Sequence, residues 1–450
     1  MNQNSFNHWR GAGVLRTFAA EASPGLAGLW VALAFIKLGN PIIFDDRIER
    51  PANWVAAMFQ PWPIAWGYCL FAAVCITGVW ICRWPEEPPS KFLIWTPLLW
   101  LCWQGVASLQ SVGAADTPLI SATLPHFAVC VSAFYYGLFV LGPNGPSRAF
   151  WIAISGGWLA VVAFGWRQHF GGLAELREYF YSLPNWREYP PEVIAKVASD
   201  RIFSTLFYPN TLAGAMILVS PAIVLGAWKE LPGDLSWQRL ILPAIAFVGS
   251  AGCLIWSGSK GGWVIAMGLI AISFVLRVQS VSTRVLILTV LLFGGAAGFW
   301  LRYHGYFERG ATSVSARFDY WAAAASNAGD RPWFGSGPGT FVNVYKRLKR
   351  PDAEMSRLVH NDYLQQATDS GIPGALFFVA FILGAIVLTY GRIRGSWLRL
   401  GVWLGILGVA AQSLAEFGLY IPALAWPWFL GMGTLLGSPV KTVDNKSGSP

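Results

Sequence analysis

The chain has 450 residues, of which 55% are hydrophobic and only 12% charged, and its formal net charge is +9. A soluble globular chain carries about twice that charged fraction, so the composition excludes an ordinary soluble domain and predicts a polytopic membrane protein. The positive charge calls for no nucleic acid, because membrane proteins collect Lys and Arg in the short loops of one face.

About twelve membrane spans are predicted, starting near residues 25, 62, 92, 118, 149, 206, 239, 261, 284, 373, 397 and 418. The apolar blocks approach the roughly 20 residues that carry a helix across a bilayer. Arg10 and Arg16 precede the first block and no small-residue cleavage site follows it, so it reads as a first membrane helix and not as a removable signal. Counting turns from there, one side of the membrane collects Arg83, Lys91, Arg148, Lys229, Arg277, Arg392, Arg394 and Arg399 among others. The short turns of the other side hold only Arg47, Arg50 and Lys260. That asymmetry predicts both termini inside. The 25 Trp suit aromatic belts at the two interfaces. All six cysteines fall in or beside apolar blocks, so neither a disulfide framework nor a zinc site is expected.

The polar stretches follow in chain order. The first outer loop, "IIFDDRIER", sets Asp45 beside Asp46; such a pair can bind a divalent cation or simply be solvated beside Arg47 and Arg50. A longer outer loop, about 167–205, ends in "ASDRIFSTLFYPNTLAGAM", with Arg201 just before a span and Asn210 about one turn inside it. A guanidinium there can clamp a phosphate with two parallel hydrogen bonds, or snorkel as an anchor. In "WSGSKGGW", Lys260 is the only strong charge of a very short outer turn, against the positive-inside trend.

The longest polar segment spans about 303–372. A helix is predicted from Arg317 through Ala325. Gly335, Gly337 and Gly339 with Pro338 then form a tight turn whose N–H groups could bind an anion or serve the chain alone. No Gly-Lys-Ser/Thr follows, so it is no nucleotide loop. In "RLVHNDYLQQATDSGIPG", His360, Leu364, Ala367 and Gly371 recur at helical spacing. The spacing predicts a short helix with His360 on one face, stopped by Gly371. A membrane helix then leaves at an angle, with Pro373 in its first turn. An imidazole exchanges a proton near neutrality, so His360 is a candidate base, or else a loop histidine in a capping role. Glu416, in "AEFGLY" between the last two spans, could orient His360, pair with an arginine, or lie exposed. The polar tail 439–450 is expected to be disordered and cytoplasmic.

Arg201, Lys260, Arg317 and His360 are all predicted on one side of the membrane. Cations there suit an anionic membrane-bound substrate such as a lipid-linked diphosphate, and a base beside them suits transfer chemistry. A transporter or flippase of lipid-linked sugars would need polar side chains within the spans. The spans hold few, Lys37 and His126 among them.

Four blocks between about residues 200 and 375 resemble, in order, the O-antigen ligase family of bacterial inner-membrane proteins. They are "RIFSTLFYPNTLAG", "SGSKGG", "SARFDYW…DRPWFGSGPGTF" and "HNDYLQQATDSGIPG". That family also includes O-antigen polymerases and protein O-oligosaccharyltransferases. The resemblance implies an all-α, GT-C-like bundle of about twelve transmembrane helices with a long periplasmic loop between the ninth and tenth. Helices one to nine would then occupy 1–302, the catalytic loop 303–372 and the last three helices 373–438. It implies a glycosyltransferase needing neither metal nor cofactor. The donor would be a glycan on undecaprenyl diphosphate, and the acceptor a hydroxyl on lipid A–core, a growing glycan or a protein. By the matching blocks, His360 would be the general base and Arg201 and Arg317 would hold the diphosphate. Lys260, Asn210, Asn361 and Glu416 are the further substrate-binding candidates. The chain departs from the family at Lys260, where Arg is usual; Lys keeps the charge but loses the planar fork.

Overall fold

A computed structural model describes residues 3–439 except 88, 111, 112, 114, 190, 230–237, 309–311 and 352. The tail expected to be disordered lies, from residue 440 on, outside the described residues.

The described residues are helical and hold no strand, an arrangement that suits lipid because each helix satisfies its own backbone hydrogen bonds. The helices that matter are α1 (Gln3–Lys37), α2 (Ile64–Val79), α3 (Lys91–Leu109), α4 (Thr117–Tyr136), α5 (Arg148–Arg167), α6 (Leu173–Ser182), α7 (Pro191–Ala198), α8 (Pro209–Lys229), α9 (Gln238–Trp256), α10 (Lys260–Arg277), α11 (Val281–Glu308), α12 (Thr312–Asp330), α13 (Phe341–Leu348), α14 (Asp362–Thr389), α15 (Trp397–Gln412) and α16 (Pro422–Gly437).

Among the described residues, eight helical stretches are long and apolar enough to cross a membrane: Ala19–Lys37, Lys91–Leu109, Thr117–Asn144, Arg148–Ser182, Pro209–Lys229, Lys260–Arg277, Val281–Leu301 and Asp362–Ile393. The other expected spans fall on shorter apolar helices, Ile64–Val79, Leu240–Trp256 and Trp397–Gln412, and on α16. A helix of 16 residues rises about 24 Å at 1.5 Å per residue, short of the roughly 30 Å hydrocarbon layer. These short helices are not all peripheral. Nearly all of α16 is buried, Trp426, Trp428 and Phe429 included, and it packs against α4, α15 and α1.

Close approach holds the bundle together. Lipid gives apolar helices no reason to leave it, so small residues that let backbones meet supply the contact. A Cβ placed on Gly405 of α15 would sit 2.0 Å from the Leu218 carbonyl oxygen of α8, and one on Gly433 of α16 would sit 1.9 Å from that of Phe134 on α4. The apolar stretch of α11, by contrast, buries nothing inside the protein.

α14 is two helices joined at a break. Ser370 leaves helical geometry and Gly371 takes φ +72°, with Pro373 two residues on, so the stop expected at Gly371 is present. The start differs from expectation. The helix opens at Asp362, and His360 stands outside it with φ +55°. The cause is Asn361, whose Oδ1 accepts the N–H groups of Tyr363 and Leu364 and caps the helix there.

The glycine turn is stapled to this first half of α14. The Ser336 N–H donates to the Thr368 carbonyl (2.9 Å), the Gly337 N–H to that of Asp369 (2.8 Å), and the Gly339 N–H to Asp369 Oδ2 (2.8 Å). The N–H groups of this turn are thus taken up by the chain's own oxygens. Tyr320, Ala323 and Ala324 of α12, Phe341 and Tyr345 of α13, and Val359 form a second small core directly before His360.

Candidate functional site

Helix ends build the site. Arg201 precedes α8, Asn210 lies in its first turn, Ser257 follows α9, Lys260 opens α10, His360 precedes α14, and Glu416 lies between α15 and α16. Arg317 reaches in from α12.

Asp362 fixes the turn that carries Glu416. Its Oδ2 accepts the Ser413 hydroxyl (2.8 Å) and the Leu419 N–H (3.0 Å), and its own N–H donates to the Ser413 carbonyl (2.8 Å). Asp362 stands two residues after His360, so the same short stretch locates both the imidazole and the carboxylate. Gln412 adds a bond from Nε2 to the Asn210 carbonyl (2.8 Å), tying α15 to α8.

Glu416 is the hub. Its Oε1 accepts Arg317 Nη2 at 2.5 Å and Asn210 Nδ2 at 2.6 Å. Its Oε2 lies 3.5 Å from His360 Nδ1, close enough for electrostatic pairing but without the geometry of a hydrogen bond. Burial by itself would push the Glu416 carboxyl up. The contact with His360 and the charges of His360, Arg317 and Arg201 outweigh it and hold the group below the usual carboxylate value. Arg317 also donates from Nε to the Ala415 carbonyl (3.1 Å) and from Nη1 to that of Ser313 (3.3 Å). Arg201 donates from Nε to the Ser257 carbonyl and from Nη2 to Asn210 Oδ1, each at 2.7 Å.

The His360 ring sits between Tyr320, roughly parallel at 5.7 Å, and Phe417, edge-on at 4.7 Å. Nδ1 is buried, yet 26% of the side chain is exposed, so the accessible edge of the ring is the one away from Glu416.

Of the residues singled out from sequence, Arg201, Asn210, Arg317, His360 and Glu416 meet in one network. Lys260 begins α10 two residues after Gly258, whose backbone packs against the Arg201 side chain. Asn361 is a helix cap, its side-chain oxygen committed to the backbone. Glu416, readable from sequence also as an exposed loop carboxylate, is only 14% exposed and paired. Asp45 Oδ1 accepts the Ile64 N–H (2.9 Å) at the start of α2. Among the described residues no cluster of three or more His, Cys, Asp or Glu side chains is placed to hold a metal. Sequence reasoning missed Asp362, Tyr320, Phe417 and the Ser257 carbonyl. The Asp after "HN" and the Phe after Glu416 were the available signals.

Residues 245–379 match a family model described as O-antigen ligase. No curated protein matches the chain. The match covers 135 of the 450 residues and supports the resemblance to that family over this segment. The matched segment holds Lys260, Arg317, His360 and Asn361. Arg201, Asn210 and Glu416 lie outside it, and the fold joins them to the rest.

Proposed function

We propose that this O-antigen ligase-like chain transfers a glycan from undecaprenyl diphosphate to an acceptor hydroxyl at the periplasmic face of a bacterial inner membrane. In this reading both termini are cytoplasmic and 303–372 is the catalytic loop. The observation that carries the reading is the convergence of one partly exposed imidazole with two guanidiniums and a buried carboxylate at one end of a helical bundle.

His360 takes the proton of the acceptor hydroxyl as that oxygen attacks the anomeric carbon. The bond from that carbon to the diphosphate oxygen breaks, and its electron pair leaves with the diphosphate. Nδ1 faces Glu416, so the working nitrogen is Nε2. The carboxylate orients the ring and stabilises the imidazolium that forms, as an acidic partner does for other histidine bases. Arg201, Arg317 and Lys260 stabilise the leaving diphosphate, a task that positioned cations perform in a poorly hydrated site. Arg317 commits only some of its N–H donors to the chain. The acceptor is lipid A–core, a growing polysaccharide or a protein.

The test is His360→Ala in purified protein supplied with lipid-linked glycan and a membrane extract as acceptor source. Transfer should fall by about 10²-fold or more, the typical worth of a positioned base, with expression and membrane insertion unchanged. Transfer at the wild-type rate would remove His360 from the chemistry.

A further inference from the structure

That reading leaves a second group of cations at the same end of the bundle unused. Arg47 and Arg357 flank the ring of Phe44, their guanidinium carbons 5.4 and 4.6 Å from its centroid. Lys196 Nζ stands 4.2 Å over the ring of Tyr208. Tyr208 meets Phe417 edge-on at 5.9 Å, and Phe417 meets His360 edge-on at 4.7 Å. The patch is therefore continuous with the candidate base, although its residues come from the loop between α1 and α2, from α7, and from the segments before α8 and α14. Burial pushes the Tyr208 hydroxyl up, and the charges of Arg357 and Arg47 pull it back, so both guanidiniums bear on that oxygen.

These cations differ from Arg201 and Arg317 in one respect. The latter two are bonded to Asn210, Glu416 and backbone carbonyls. Among the described residues, the side chains of Arg47, Arg357 and Lys196 make no hydrogen bond or ion pair, and Asp46 bears on Arg357 only at longer range. Like charges held together with so little compensation favour an anion among them. Cation–π contact engages the faces of the guanidiniums and leaves their N–H forks available.

We propose that Arg47, Arg357 and Lys196 form a second anion subsite that grips a phosphate monoester on the acceptor glycan, with Phe44, Tyr208 and Phe417 supporting its sugar rings. The inference rests on the glycosyl-transfer reading. It assigns the patch to the acceptor because the attacked hydroxyl must come within about 3 Å of the imidazole. Sugars flanking that hydroxyl then lie against what lines His360, which is Tyr320 on one side and Phe417 with the wall behind it on the other. Two guanidinium forks and an ammonium suit the charge of about −1.5 to −2 on a phosphate monoester better than a single carboxylate.

The experiment uses the full chain in phosphatidylcholine nanodiscs, with lipid-linked glycan as donor and a glycan acceptor extracted from the producing cells, used as such or after alkaline phosphatase. Phosphatase treatment should raise the wild-type KM for acceptor by about tenfold or more, the loss of one or two charge-assisted hydrogen bonds. The double variant Arg47→Gln/Arg357→Gln should show the same rise, become indifferent to phosphatase, and keep kcat and donor KM within about twofold. Arg47→Lys/Arg357→Lys should recover most of the loss, because charge is kept. The subsite is overturned if phosphatase leaves the wild type unchanged, or if the double variant raises the donor KM instead. It is also overturned if the variant's defect appears only in discs containing phosphatidylglycerol, which would assign the patch to a lipid headgroup. Wild-type protein that forms no product from any lipid-linked donor sinks the glycosyl-transfer reading itself. Wild-type product alongside an unshifted double variant sinks the subsite alone.

Discussion

At the scale of single residues, the site turns on Glu416. One carboxylate satisfies Arg317 and Asn210 and faces His360, so Glu416→Gln removes a charge that three neighbours use. The expected outcome is a loss of transfer of about 10²-fold and a stability loss of about 1–3 kcal/mol, read by initial rates and by thermal melting in detergent. The pH dependence has a definite sign. The folded-state carboxyl titrates below its usual value, so its contribution to stability is full above about pH 4.5 and fades as pH falls through the depressed value. Melting curves of the wild type should therefore drop more steeply with acid than those of Glu416→Gln. His360, Arg317 and Arg201 were legible from the sequence because they stand in polar motifs within an apolar chain. The burial of Glu416 was not legible. A short polar turn between spans reads as solvated, and only Asp362, holding that turn by side-chain bonds from another helix, draws the carboxylate inside.

At the scale of elements, the broken helix α14 sets the end of the bundle that holds the candidate site. Its first half accepts the glycine turn and leads from the His360 loop, while its second half joins the bundle. Gly371 permits the change of direction. A Cβ there would lie 2.4 Å from the Trp333 carbonyl group, and the φ of +72° disfavours any side chain. Gly371→Ala should cost about 2 kcal/mol or more and lower transfer, as seen by thermal melting and rates. Gly268→Ala in α10, where a Cβ meets nothing within 4 Å, should be neutral or slightly stabilising. The break was legible, since Gly and Pro punctuate helices by known means. The start was not. His360 fits the 3.6-residue pattern of the helix that follows, and the pattern cannot tell that Asn361 takes the capping role and leaves the histidine outside, in a left-handed conformation. The glycine turn was ambiguous for a related reason: free N–H groups look the same in sequence whether a ligand or Asp369 receives them.

At the scale of the whole molecule, hydropathy announced a helical membrane protein and placed a helix near each expected start. It did not separate helices that face lipid from helices enclosed by others. α11 and α16 are both apolar, yet the first buries none of its membrane stretch and the second nearly all of its length. What separates them is contact made by glycines and aromatic rings between distant segments, which no local window contains. Gly433→Val would drive a side chain into the Phe134 carbonyl. It should give protein that inserts but melts several degrees lower, at a cost of about 2 kcal/mol or more.

The enclosed position of α16 bears on assembly of the site. Among the described residues this helix comes last, and α4, α15 and α1 pack around it. Glu416 and Tyr420, which close the network around His360 and Asp369, lie just ahead of it in sequence. On the proposed reading, the site is therefore assembled only when this enclosed helix is seated among its neighbours.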